Sequence, residues 1–396
     1  MNLNSDKDTA IIMDNILPDI DNYPFLFDHK DKTVKKIIKK FYNEIKNIYE
    51  TRLKVLKFTK TIKSTQEIKI SDLLESNFTP STIKKEMKSI DKVIEYNTII
   101  RDKLPTKVIF FKHPEEKQEN FDFYFKEICH WLTFIIPYSN LKMKKFTLII
   151  HLSREKKVLP KNNTEVLNSE NVNTAVTYAC AINGSCLIYR KEEWFKVMLH
   201  ETMHAFCLDF SGLDYVDLRN KFKNIFPLKI DFEISESYTE FWATILNCLF
   251  KTYEQKRMDP DIKGFSGFYD IFSSMIYLEI TFSLIQAIKI LNFMNIKYNN
   301  LYDTNIIFKQ KTNVFEYYIL KLILLFNYVD FLKLCNDNNT NCINFYKSKK
   351  MLDNIFNFIS EKYKDKDLLK GFDYMEKMVD KINNSFLKNT MRMTIF

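Results

Sequence analysis

Apolar residues recur at helical spacing early in the chain: Val34, Ile37, Ile38, Phe41, Ile45, Ile48, Tyr49 and Leu56 predict a helix from 33 to about 60. A second helix is expected over 82–103, opening near Pro80-Ser81 and stopping before Pro105. Residues 1–28, with Pro18 and Pro24 as breakers, read as a loose segment. After Pro105 the pattern changes. KVIFFK (107–112) reads as a short strand, FDFYFKEICHWLTFII (121–136) as an amphipathic helix and FTLIIHL (146–152) as a strand of β-branched residues. A polar loop then leads to TAVTYACAI (174–182), an Asn183-Gly184 turn and CLIYR (186–190), which is a hairpin pattern. A helix from about Lys191 to Leu208 follows, then a loop to about 230, a helix over 232–250 and several apolar helices. The expected class is α+β and mainly helical. Its divisions are a loose segment (1–28), a helical region (29–104), a core with a small mixed sheet (105–250) and a second helical region (251–396).

Composition narrows the function classes. A chain of 396 residues with 46% apolar content can bury a sizeable core. The net charge is +9, but only seven of its 59 basic residues are arginine, the residue whose fork reads phosphate and bases. Few Gly and many Lys, Asn and Ile are what an AT-rich genome encodes. The lysine-rich stretch 30–63, with twelve basic residues against three acidic ones, therefore reads as the solvated face of a helix. Contact of that face with nucleic acid or anionic lipid is the alternative. With five glycines the chain has no GxGxxG and no GxxxxGK[ST], so the usual nucleotide-cradling loops are absent. The stretches 271–294 and 315–334 are long and apolar. Glu279 and Lys289 interrupt the first, and Lys321, Asn327 and Asp330 the second, so both are expected as core helices and no membrane span is expected. The polar N-terminus is not a secretory signal, and seven cysteines without a CxxC suggest reduced thiols in an intracellular compartment, a cell's cytoplasm or a virion.

The candidate chemistry sits in His200-Glu201-Thr202-Met203-His204. On a helix this HExxH spacing aims two imidazoles at one zinc ion and sets a carboxylate beside them. Its flanks, Val197, Met198, Leu199, Ala205 and Phe206, are uncharged, which suits a dry metal site. A catalytic zinc needs a third protein ligand. Cys207 and Phe210 stand where HExxHxxGxxH requires Gly and His, and no histidine follows His204. A carboxylate is the expected ligand. Glu236 and Glu240, four apart in DFEISESYTEFWATILN (231–247), share one helix face, and Glu233 lies on the same stripe. Glu236 leads, with Glu240, Glu233, Cys207 and Asp214 still open. The plainer reading is a pair of half-buried helix histidines and a solvated acidic face. His113, His130 and His151 are expected to be surface or satisfied histidines, and Cys180 and Cys186 small reduced residues flanking the hairpin.

HExxH followed by a helix bearing ExxxE resembles the gluzincin metallopeptidases, and Glu236-Ser-Tyr-Thr-Glu240-Phe-Trp is similar to a run of the lethal-factor-like peptidases. The resemblance covers about residues 106–250. It implies a zincin-like core holding one Zn²⁺ and cleaving a polypeptide. His200, His204 and Glu236 would be ligands, Glu240 would hydrogen-bond His200, and Glu201 would be the general base. An edge strand near Thr177, Tyr178 and Ala179 would hold substrate backbone. The lethal-factor-like peptidases carry a Tyr seven residues before the ligand, where this chain has Lys229, so the oxyanion donor stays open among Tyr238, Tyr253, Tyr269 and Arg257. In AT-biased composition the chain also looks like uncharacterised metallopeptidase-like proteins of large DNA viruses. The alternative function is a non-catalytic, zinc-stabilised interaction or virion protein with a basic N-terminal helix.

Overall fold

The computed structural model describes residues 7–18, 23, 30–51, 56–68, 71–113, 117–302 and 306–396. In chain order its elements are α1 (Lys7–Ile16), α2 (Lys32–Glu50), β1 (Phe58–Ser64), α3 (Ser71–Leu74), α4 (Ser81–Lys88), β2 (Lys92–Ile100) and β3 (Leu104–Phe111). Next come α5 (Gln118–Ile135), β4 (Lys145–Ser153), α6 (Ser169–Val172), β5 (Ala175–Thr177), β6 (Asn183–Arg190) and α7 (Trp194–Ala205). The rest is helical: α8 (Val216–Ile225), α9 (Ile234–Met258), α10 (Gly264–Phe293), α11 (Lys321–Phe326), α12 (Tyr328–Asn338), α13 (Lys349–Lys362), α14 (Lys366–Val379) and α15 (Ser385–Asn389). The class is α+β, mainly helical, with one small mixed sheet.

The chain divides into two compact units. One comprises residues 40–156 and 173–212, the other 1–39, 157–172 and 213–396. The first contains the whole sheet, in the order β1-β2-β3-β4-β6-β5. β1, β2 and β3 run antiparallel, β3, β4 and β6 parallel, and β5 returns antiparallel at the edge. Parallel pairing of β3 with β4 needs a crossover, which α5 supplies. One sheet face carries Val93, Ile109, Phe111, Ile149, Leu187 and Tyr189 against Ile83 and Met87 of α4. On the other, Phe110 meets Phe121 and Tyr124 of α5, and Tyr96 stacks on Phe125 at 4.4 Å.

Several sequence expectations change. The first helix stops at Glu50, and part of its expected tail is strand β1. The helix expected over 82–103 is α4 followed by β2, whose residues 93–96 are all buried. A strand buried on both faces has no polar alternation and imitates a helix in sequence. β1 is largely exposed and lysine-bearing, as suits an edge that must not pair with another chain. Asn183-Gly184 is not a turn. It opens β6, paired with Lys145 and Phe146 of β4. Space is tight there: a Cβ would sit 2.6 Å from the Met143 methyl and 3.0 Å from the Phe146 ring, so a larger residue would have to displace the Met143 side chain. The expected loose N-terminal segment contains α1, while Pro24 lies outside the described residues.

The second unit is helical. Among the described residues one helix, α10, is long and apolar enough to cross a membrane, and most of its length is buried within the protein. The apolar stretch from 315 is a π-helical turn (Phe315–Leu320) continuing into α11, with Asn327 separating α12. Polar groups thread this interior. Glu279 of α10 is fully buried and accepts hydrogen bonds from Thr394 Oγ1 (2.5 Å) and the Ile395 amide (2.8 Å). Lys321 Nζ donates to Ser283 Oγ (2.9 Å) and the Met393 carbonyl (3.0 Å). Burial, only partly offset by Lys321, raises the pKa of Glu279 above the ordinary 4.5. A raised carboxyl favours the protonated folded state. Its contribution is therefore complete below about pH 4.5 and fades as pH rises through the folded value. Glu279→Gln, which keeps shape and cannot ionise, should flatten the decline of urea-unfolding stability above pH 4.5; an unchanged pH profile would show that Glu279 is not its source.

Candidate metal centre

The HExxH segment lies on α7, a helix buried almost all round. Glu193, left-handed at φ 58°, turns the chain out of β6 and into it. α5 then fixes its rotation: Trp131 Nε1 donates to Thr202 Oγ1 (2.7 Å), which donates to the Met198 carbonyl (2.6 Å). Thr202 is thus spent on holding the helix that carries its two neighbouring histidines. His200 and His204 are only 5% and 6% exposed, and their Nε2 atoms lie 3.1 Å apart. Two nitrogens about 2.0–2.1 Å from a tetrahedral zinc sit about 3.3–3.4 Å apart, so the pair is already near a ligand edge.

A residue missed by sequence reasoning completes this arrangement. Asp209 is fully buried, and its Oδ2 pairs with Nδ1 of His204. Its other oxygen accepts from Ser211 Oγ (2.9 Å). Cys207, left-handed at φ 61°, makes this possible. The helix closes through Cys207 N→His204 O (3.0 Å) and Leu208 N→Met203 O (3.0 Å), and the chain turns back beneath His204. A carboxylate on Nδ1 keeps the ring proton there and presents Nε2 as a lone pair, the form a metal takes. The only sequence signal was an acid five residues past the second histidine.

Cys207 also forms a disulfide with Cys180, correcting the expectation of reduced thiols; Cys129, Cys186, Cys248, Cys335 and Cys342 are free and buried. The bond removes Cys207 as a ligand candidate. The Cys180 amide donates to the His204 carbonyl (3.1 Å), so the loop after β5 is tied to the end of α7 twice. β5 is an edge strand ending at Thr177, whose hydroxyl donates to the Ser185 carbonyl (2.6 Å). Tyr178 and Ala179 lie beyond its end and are exposed. Glu201 is half-buried on α7, and its charge adds to burial in raising the pKa of the Cys186 thiol on β6.

The acidic residues of the second unit sort themselves by their bonds. Glu233 is occupied by Arg219 Nη2 and the Tyr215 hydroxyl, which takes it out of the ligand candidates. Its amide donates to Glu316 Oε1 (2.9 Å), a cap on α9 supplied by the π-helical turn. Burial pushes the Glu316 carboxyl up to about 8, with Glu236 and Glu233 adding to the effect. Asp214 accepts from the Val216 amide (3.1 Å) at the start of α8. Glu236 is half-buried in the first turn of α9, and Glu240 is buried one turn on.

The named oxyanion donors do not suit the role. Tyr238 is fully buried; its hydroxyl donates to the Ile343 carbonyl (2.6 Å) and accepts from Asn339 (2.8 Å). Tyr253 and Arg257 lie 17 and 21 residues beyond Glu236 on α9, about 25 and 31 Å along its axis, too far to share a reacting centre with it. Tyr269 of α10 sits under the ammonium of Lys35, 5.2 Å from its ring centre.

Two groups of His and Glu side chains could bind a metal ion, one built on the paired histidines of α7. Because the disulfide closes a 27-residue separation onto the end of that helix, reducing it with a phosphine should lower urea-unfolding stability by about 3–4 kcal/mol. An unchanged urea midpoint would show that the bond does not constrain the unfolded chain. Compared with known protein families, curated proteins and solved structures, the chain matches none.

Proposed function

We propose that this chain is a zinc-dependent metallopeptidase of the gluzincin type, with a zincin-like catalytic region formed by the sheet and α7. One observation carries the reading: two buried imidazole Nε2 atoms lie 3.1 Å apart on one helix that also bears Glu201, with Asp209 behind His204. A purely structural pair has no use for a carboxylate at 201.

In this reading His200 and His204 hold the metal and Glu236 is the third ligand. Glu233 is engaged by Arg219 and Tyr215, and Glu236 is half-buried in the first turn of α9. Glu240, buried one turn on, hydrogen-bonds His200. Zinc, when bound, supplies a Lewis acid and a water acidic near neutral pH. Glu201 takes the proton from the attacking water and returns it to the leaving amine as the peptide C–N bond breaks. An extended polypeptide pairs with the edge strand β5.

Glu201→Gln should keep the zinc content of the wild type and lose about 10²–10⁴-fold in cleavage of an unfolded protein such as casein; full activity would remove Glu201 as the base. Wild-type protein that holds zinc and cleaves nothing would favour the non-catalytic, zinc-stabilised alternative. Ligand roles separate by affinity. Glu236→Ala should remove the one zinc equivalent held by His200 and His204, and Asp209→Asn should weaken that equivalent about 10–100-fold, measured by competition with a chromogenic chelator. Equal affinities in both variants and the wild type would sink this ligand set.

A further inference from the structure

The expectation that His113 and His151 are surface or satisfied histidines fails for one of them. His151, near the end of β4, is 0% exposed; its Nδ1 has no hydrogen-bond partner, and its Nε2 has only an ion-pair contact with the Glu86 carboxylate. By contrast His130 is satisfied, paired with Glu127 (3.2 Å) and stacked on Tyr49. A fully buried imidazole facing one carboxylate, with its other nitrogen unbonded, calls for a specific explanation.

The strand register supplies its neighbours. β3 and β4 run parallel with Ile109 opposite Ile149, so Phe111 and His151 follow on the α4-facing side, and His113 comes next after Phe111. The rings of His113 and His151 are 4.8 Å apart. His113 Nε2 is 2.8 Å from the His151 carbonyl, to which it donates, leaving Nδ1 as a lone pair. That nitrogen faces Glu86 Oε1 of α4 at 3.9 Å, and His151 Nε2 lies 3.4 Å from Glu86 Oε2. The Ser153 hydroxyl donates to the same Glu86 oxygen (2.6 Å) and orients the carboxylate. One donor atom from each of the three residues falls within 4.8 Å of the others.

We propose that Glu86, His113 and His151 form a second metal site, taking a divalent first-row transition metal such as zinc. Two imidazole nitrogens and one carboxylate oxygen are the donor set such ions accept, and the 3.4 Å separation matches a tetrahedral edge at ordinary zinc distances of about 2.1 Å. The outer bonds have the form metal ligands use: a backbone carbonyl fixes His113 and a serine hydroxyl fixes Glu86. The ion ties α4 to the ends of β3 and β4, on the face opposite the α5 contacts. All three residues belong to one compact unit, and the site does not rest on the peptidase reading.

The test is zinc content of the full chain, dialysed against micromolar zinc and measured by mass spectrometry. His113→Gln and Glu86→Gln, both at partly exposed positions, are compared with His204→Ala, with circular dichroism to confirm folding. The expected result is two equivalents in the wild type and one in each variant. One equivalent lost in His113→Gln and Glu86→Gln but retained in His204→Ala would support this site while sinking the peptidase centre. Zinc content unchanged by His113→Gln and Glu86→Gln would overturn the second site.

Discussion

A buried helix that brings two imidazole Nε2 atoms to 3.1 Å is the constraint on which the sheet-bearing unit turns. α7 is held from both sides. The indole of Trp131 occupies Thr202, so the residue between the histidines is fixed from the α5 side. The chain reversal at Cys207 brings Asp209 onto His204. Each contact removes a degree of freedom from one ring.

The legible parts of this fold were apolar runs whose length and bounding polar segments suit one element type. β3, β4, α5, α7 and α9 bury residues at spacings a reader can count, and the structure has each near its expected place. β2 was misread because four consecutive buried residues leave no alternation, and β1 because an exposed, lysine-bearing edge strand looks like the tail of the basic helix before it. Asn183-Gly184 was misread for a different reason. The dipeptide permits a turn, but here glycine answers the crowding of Met143 and Phe146.

At the candidate site, HExxH was legible because its spacing is local. Asp209 and the Cys180–Cys207 bond were not, because both depend on where a left-handed residue sends the chain after the helix ends. The same limit hid the second cluster. His113 and His151 lie far apart in sequence and meet only through the parallel register of β3 and β4, with Glu86 arriving from a helix two elements earlier. Sequence spacing can reveal ligands on one helix; ligands on adjacent parallel strands leave no fixed interval to count.

Cys207 concentrates several of these dependencies in one position. Its left-handed backbone closes α7 and starts the return to Asp209, while its sulfur anchors Cys180, whose amide holds the His204 carbonyl. A non-glycine residue in that conformation is under strain unless its surroundings fix it. The disulfide and the helix-closing bonds supply that fixation. Glycine would adopt the same backbone more easily but could not tie down the loop after β5. The choice of cysteine therefore reads as a choice of rigidity at the end of the histidine-bearing helix: the residue that turns the chain also fastens the edge strand's loop beside His204.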